Sequence, residues 1–193
     1  GNGIRCVGKD VYDKGYTDKT HLTVETLSGI KRLDLQVRSG KVKSVIADMG
    51  RANVSESASL EVNGQTLSYV PVDVGNPHAV FFCGDAESVP LSSLGGKIER
   101  HAAFPGGVNA EFVQVLSPEK IRMRVWERGS GITMACGTGA SASVAAAIAK
   151  GYCEKNVWVS VVLDGGVLQI KIDDHYNVLM QGPAETVYEG ESV

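Results

Sequence analysis

A stretch at the start of the chain recurs 136 residues later, and no other feature constrains the fold as much. Gly1-Asn2-Gly3…Lys14-Gly15-Tyr16 lies on Gly137-Thr138-Gly139…Lys150-Gly151-Tyr152 without a gap, and the register continues to Gly29. Eight positions match: Gly1/Gly137, Gly3/Gly139, Lys14/Lys150, Gly15/Gly151, Tyr16/Tyr152, Lys19/Lys155, Leu27/Leu163 and Gly29/Gly165. Ordinary residue usage would give about two matches in such a window. The matched glycines fall where a helix would start and stop, positions at which glycine has a backbone role. The spacing exceeds any solenoid period, so it predicts a duplicated domain. The plainer alternative is two glycine-bounded helices that coincide, since that punctuation is common. Under duplication, Cys136 opens the second copy, and its counterpart falls immediately before Gly1, outside this chain. The first copy is then expected to be incomplete.

Residue patterning fills in the rest. Residues 1–15 read as a helix closed by Lys14-Gly15. From His21 the pattern alternates. Leu22, Val24 and Thr26 share one face, then Leu33, Leu35 and Val37, then Val42, Val45 and Ala47, with turns at Gly29 and Ser39-Gly40. Further strands are expected over 66–74, 79–83, 108–116, 121–126, 157–163, 167–172 and 178–181. A short helix is expected over 91–101, broken or delayed by Gly95-Gly96, and a second, alanine-rich helix over 140–150. Many antiparallel strands around two or three helices make an α+β plan. With the duplication, this becomes two mixed or antiparallel β domains, each wrapped around a central helix.

Composition excludes several function classes. A net charge of −3 offers nothing to draw nucleic acid or an anionic membrane. No apolar run approaches the roughly 20 residues of a membrane span, the longest being the alanine-dominated Val144–Ala149. The four cysteines, Cys6, Cys83, Cys136 and Cys153, form no C-x-x-C pair, so no zinc or redox motif is expected. No secretory signal opens this chain, so free thiols in a cytoplasmic setting are the expectation.

Cys136 directly precedes Gly137-Thr138-Gly139 and the alanine-rich helix. The first N–H groups of a helix are unpaired, and its dipole places partial positive charge there. A thiol at that point is expected to have its pKa lowered, and the same N–H groups suit a substrate carboxylate. Glu127 and Arg128 lie nine and eight residues earlier, across a glycine-rich turn. Arg128 offers a bidentate clamp for a carboxylate. Glu127 suits a substrate ammonium or proton exchange with a thiol. Alone, the pair reads equally well as surface charges flanking a loop. Gly75-Asn76-Pro77-His78 is a second polar corner, with a ring that titrates near neutrality. Asn109, after Phe104-Pro105-Gly106-Gly107, is a third polar residue on a turn, while His21, His101 and His175 read as structural.

In order, Gly1-Asn2-Gly3-Ile4-Arg5-Cys6, Gly75-Asn76-Pro77-His78, Phe104-Pro105 with Asn109, Glu127-Arg128-Gly129, and Ala135-Cys136-Gly137-Thr138-Gly139-Ala140 resemble the signature motifs of the diaminopimelate epimerase family. Gly182-Pro183-Ala184 resembles its closing segment. The resemblance implies two similar domains with the site between them, and two cysteines facing the substrate α-carbon from opposite sides. One thiolate removes a proton and the other thiol delivers one, with no pyridoxal phosphate and no metal. Carried over by motif, Cys136 is one of that pair, and His78 and Glu127 tune the two thiols. Gly1, Asn2, Asn76, Asn109, Glu127, Arg128, Gly137 and Thr138 match substrate-contacting positions, while Cys6, Cys83 and Cys153 read as packing thiols. The sequence departs from the family at Gly106-Gly107 and at Ile132, where charged residues are usual; this bears on the distal part of the substrate.

The expected organisation is 1–47 as the remainder of an N-terminal domain, 48–181 as a complete domain, and 182–193 as a tail returning to the first. The implied partner is diaminopimelate, with no nucleic acid and no membrane, plus a homodimer or pairing with the segment before Gly1. With one thiol of the two, these residues alone are expected to be inactive. Competing readings are a proline or hydroxyproline epimerase on the same scaffold, and a non-catalytic remnant.

Overall fold

The computed structural model describes residues 1–27, 29–188 and 190. The chain divides into two units: Gly1–Asp48 with Gln181–Val193, and Met49–Met180.

The first unit pairs one helix with a small sheet. Helix α1 (Asn2–Asp13) starts at Gly1 and ends at Lys14. Strands β1 (His21–Thr26), β2 (Gly29–Arg38) and β3 (Lys41–Arg51) form an antiparallel meander, with Leu22 opposite Leu33 and Leu35 opposite Val45. Val42 and Val45 lie three apart yet both are buried, because the register shifts between Gln36 and Val37. α1 lies close on this face: a methyl group on Gly8 would stand 3.0 Å from Leu35 and 3.1 Å from Leu33. Lys9 and Asp13 pair at 2.6 Å and also bond the carbonyl and N–H of Val42, each at 2.9 Å. Arg5 is buried, donating to the Pro183 carbonyl at 3.2 Å and to Asn2 Oδ1 at 2.9 Å.

The second unit contains β4 (Asn53–Val54), β5 (Ala58–Val62), β6 (Gln65–Asp73), β7 (Pro77–Phe82), α2 (Leu91–Glu99), β8 (Asn109–Ser117) and β9 (Lys120–Glu127). After these come β10 (Gly131–Ile132), α3 (Gly137–Ala149), β11 (Trp158–Leu163), β12 (Gly166–Ile172) and β13 (Asn177–Pro183). Its strands run in the order β13-β12-β11-β9-β8-β7-β6-β4, with β10 on β9 and β5 on β6. The chain crosses between the units within β3 and within β13.

The sheet is more mixed than alternation alone suggests. β7–β8 and β9–β11 pair in parallel. A parallel pair needs a crossover; α2 lies in the first and α3 in the second. The short strands β4, β5 and β10 escape sequence patterning because two to five residues hold too little periodicity to register.

α3 packs against β4, β6, β7, β8, β9, β11 and β12. Its residues Ala140, Ala142, Val144, Ala145, Ala146 and Ala147 are wholly buried. A helix buried on all sides must be apolar all round, and alanine keeps it narrow enough for strands to close on it. The ends of α1 and α3 are built alike. Lys14 and Lys150 cap them at φ −88° and −87°, followed by Gly15 and Gly151 at φ +76° and +75°, a region open to glycine. Tyr16 N–H bonds Val11 O, and Tyr152 N–H bonds Ala147 O, each pair again 136 residues apart.

α2 corrects the sequence expectation. It runs unbroken through Gly95 and Gly96, both buried. These glycines admit a neighbour instead of ending the helix: a methyl on Gly95 would lie 2.5 Å from the Trp126 ring. The Trp126 indole reaches Glu99 Oε2 at 2.7 Å, and the cluster around it includes Leu91, Ile98 and the stacked Phe81 and Phe112. Among the described residues no helix is long and apolar enough to cross a membrane.

Gly95→Ala should therefore destabilise the protein by about 1–3 kcal/mol, the usual penalty of an overpacked core, despite alanine's better helix propensity. Urea unfolding measures it; a stabilised variant would contradict the close Trp126 contact.

Candidate active site

Three neighbouring strands and one helix start assemble the site in the second unit. Parallel pairing sets His78 of β7 opposite Asn109 of β8. Side chains two apart on a strand share a face, so Glu111 stands with Asn109. Antiparallel pairing of Ala110 with Trp126 brings Glu127 to the end of β9 beside Asn109.

Cys136 is the N-cap of α3, with extended backbone (φ −130°, ψ 109°). Its Sγ accepts the Gly139 N–H at 3.3 Å and lies 3.5 Å from Thr138 Oγ1. The preceding segment is anchored by Gly165, whose N–H donates to Met134 O at 2.6 Å. Asn76 donates to Thr138 Oγ1 at 3.5 Å, and its Oδ1 lies 3.0 Å from His78 Nε2. His78 Nδ1 lies 2.6 Å from Glu111 Oε1. One chain of polar contacts thus runs from the sulfur through Thr138, Asn76 and His78 to Glu111. Asn109, also buried, donates to Pro77 O at 2.9 Å and accepts from the Arg128 N–H at 3.0 Å, tying the two polar turns together. Thr133 donates to Glu127 Oε1 at 2.5 Å.

Arg128 is exposed. Its Nη1 donates to Gly106 O at 3.1 Å, and it borders an open cavity of ≈410 Å³ with Phe104, Pro105, Gly106 and Gly107. Gly107 has φ +73°, and a methyl there would meet Arg128 Cδ at 2.9 Å. Glu99 braces the turn from behind, accepting Gly129 N–H at 2.8 Å; bonds from Trp126 and Gly129 hold its carboxyl below the usual range.

The thiol departs from expectation. Cys136 is 5% exposed. Burial, with the charges of Glu111 and Glu127, pushes it up to about 12, against the hydrogen bonds from Thr138 and Gly139. The helix start stabilises the thiolate, but desolvation outweighs it.

The residues expected from the sequence, Cys136, Glu127, His78, Asn76, Asn109, Arg128, Gly137 and Thr138, all lie in the second unit. Gly1 and Asn2 open α1 in the first. Glu111, fully buried against His78, was not among them. The available signal was a carboxylate inside the apolar run Ala110–Val113, two residues beyond Asn109. Cys153 is buried and Cys83 half-buried, as packing thiols would be; Cys6 is exposed, so the expectation of a packing thiol does not hold there. Among the described residues no three His, Cys, Asp or Glu side chains group as metal ligands.

The fold is shared with solved racemases and epimerases. A probable proline racemase from Agrobacterium radiobacter superposes with TM-score 0.73 at 19% identity, over 95% of this chain and 64% of that one. A hydroxyproline epimerase from Agrobacterium vitis gives 0.72 at 18%, with the same coverage. At those identities the likeness is one of fold. Sequence comparison is more specific: residues 70–187 match the family model described as diaminopimelate epimerase. The diaminopimelate epimerase of Phocaeicola vulgatus is 45% identical over 208 residues, spanning 99% of this chain and 72% of that one; that of Bacillus subtilis is 42% identical over 204. This chain belongs to the diaminopimelate epimerase family.

Iodoacetamide at pH 8 should label exposed Cys6 at least tenfold faster than Cys136, and the Cys136 rate should climb about tenfold per pH unit towards 10, as a mostly protonated thiol requires. Peptide mass spectrometry reads both. A Cys136 rate that levels off below pH 8 would mean a thiol already ionised.

Proposed function

We propose that this chain belongs to a pyridoxal-phosphate-independent, two-cysteine epimerase that interconverts LL- and meso-diaminopimelate, with Cys136 as one of the two proton carriers. The observation that carries this reading is the seat of Cys136: its sulfur caps α3 and takes the Gly139 N–H, inside the stretch matching the family. The relatives' name supplies the substrate.

An amino-acid α-proton is very weakly acidic, so the developing carbanion needs electrostatic help at its carboxylate. Helix starts supply it through unpaired N–H groups. Inversion needs an acid and a base on opposite faces of one carbon. Cys136, held as a neutral thiol, is the acid in one direction; a second cysteine, assigned by the repeat to the position before Gly1, is the base. Their roles exchange in the reverse direction. His78 and Glu127 tune the thiols. Gly1, Asn2, Asn76, Asn109, Glu127, Arg128, Gly137 and Thr138 contact the substrate, with Arg128 as a carboxylate clamp.

The alike endings of α1 and α3 support a duplicated domain, with 1–47 as an incomplete first copy, 48–181 as the second and 182–193 as a returning tail. A cytoplasmic setting and a homodimer, or association with the preceding segment, belong to the same reading. The motif set at Asn109 and Glu127-Arg128-Gly129 favours diaminopimelate over proline or hydroxyproline. Gly107 has a local reason to depart from the family: a side chain there would displace Arg128.

In protein carrying the preceding segment, Cys136→Ala should abolish epimerisation with the fold retained, and Cys136→Ser should keep at most a trace, a hydroxyl being a far poorer acid and base. Wild-type rates in Cys136→Ala would end the two-thiol mechanism. The 193 residues alone should not invert diaminopimelate in D₂O; inversion by them would remove the need for the second cysteine.

A further inference from the structure

Glu111 has no part in the two-thiol chemistry as set out above, yet its position is costly. Its side chain is fully buried, and its Oε2 has no hydrogen-bond partner among the described residues. A buried carboxylate left half-satisfied costs several kcal/mol or changes its protonation. The rest of its surroundings say which.

His78 is bonded at both ring nitrogens. The Asn76 amide nitrogen faces Thr138, which turns Asn76 Oδ1 towards His78 Nε2. An amide oxygen only accepts, so Nε2 carries a proton. A single further proton then lies between Nδ1 and Glu111 Oε1, 2.6 Å apart, and the pair is neutral overall. It is either carboxylate with imidazolium or carboxylic acid with imidazole. Burial holds the Glu111 carboxyl above its ordinary value although the neighbouring His78 pulls it down, which brings the acid form within reach of the ion pair.

The pair stands close to the sulfur. A methyl group on Gly139 would lie 2.8 Å from Glu111 Oε1 and 3.2 Å from Cys136 Sγ. The oxygen that shares the proton and the thiol therefore flank one methyl-sized gap at the first turn of α3. The charged groups that face the sulfur are Glu111 from β8 and Glu127 from β9, with His78 of β7 behind Glu111 and the Gly139 N–H of α3 beside it.

We propose that Glu111 is a positioning residue that, through the proton it shares with His78, adjusts the charge facing Cys136 as the thiol gives up and regains its own proton. This rests on the reading of Cys136 as a proton carrier. While sulfur holds its proton, the pair is carboxylate and imidazolium. When the thiol S–H bond breaks and a C–H bond forms at the substrate carbanion, the electron pair stays on sulfur. The shared proton then moves from Nδ1 to Oε1. The thiolate then faces a neutral acid at Glu111, no proton is exchanged with solvent, and of the two carboxylates only Glu127 still opposes it.

The test is peptide-resolved iodoacetamide labelling of Cys136 from pH 7 to 10 in wild type, Glu111→Gln and Glu111→Asp. Gln keeps the shape without the charge, so labelling at pH 8 should accelerate about tenfold, the effect of one pKa unit. Asp keeps the carboxylate and should hold the wild-type profile within about threefold. An unchanged profile in folded Glu111→Gln overturns the proposal, and so does equal acceleration in both variants, which would be looser packing. Should Glu111→Gln fail to fold by circular dichroism, ¹⁵N-histidine NMR of the wild type decides: Nε2 should carry a proton, as its Asn76 Oδ1 acceptor requires, and a bare Nε2 overturns the neutral pair. Epimerisation by Cys136→Ala protein would separately sink the proton-carrier reading, whatever the labelling shows.

Discussion

Burial of α3 on every side is the constraint from which the second unit follows. Its alanines let strands on several sides approach its backbone, and Ser141 satisfies its own hydroxyl at Gly137 O, 2.9 Å away. A larger side chain in the middle of this helix would separate it from several strands at once. The same narrowness brings the first turn onto β7 and β8, so Cys136 stands among His78, Glu111 and Asn76 instead of at a solvent-facing cap. Packing and chemistry here have one cause.

That placement decides the contest over the thiol. A helix start favours a nearby negative charge by about 0.3–2 kcal/mol. Raising a thiol from 9.0 to about 12 disfavours the thiolate by about 4 kcal/mol. Desolvation and two carboxylates therefore exceed the dipole, and the resting group is an acid. For the proton carrier proposed at Cys136, such a setting calls for a neighbour whose charge can change in step. The Glu111–His78 couple is the group in the site built to do so.

Arg128 shows a second coupling of fold and site. Its backbone is fixed by Asn109, its guanidinium by Gly106, and its stem by the absence of a side chain at Gly107. Glu99 and Trp126 hold the same turn from the α2 side, and Trp126 is itself admitted by Gly95. Residues that look like helix breakers in the sequence thus help to hold the turn that carries Arg128.

The sequence by itself determined the helices bounded by Gly15 and Gly151, most strand positions, and the polar corners at Asn76-Pro77-His78 and Glu127-Arg128, because these depend on local periodicity, turn chemistry and order along the chain. It also placed Cys136 at a helix start. Only the tertiary structure decided the parallel pairings, the unbroken course of α2, the partnership of Glu111 with His78, and the protonation of Cys136. Each of these depends on which residues distant in the chain come within a few ångströms, and on how much water they exclude. Residue spacing carries a helix dipole plainly, but the desolvation that opposes it exists only once the surrounding strands have closed.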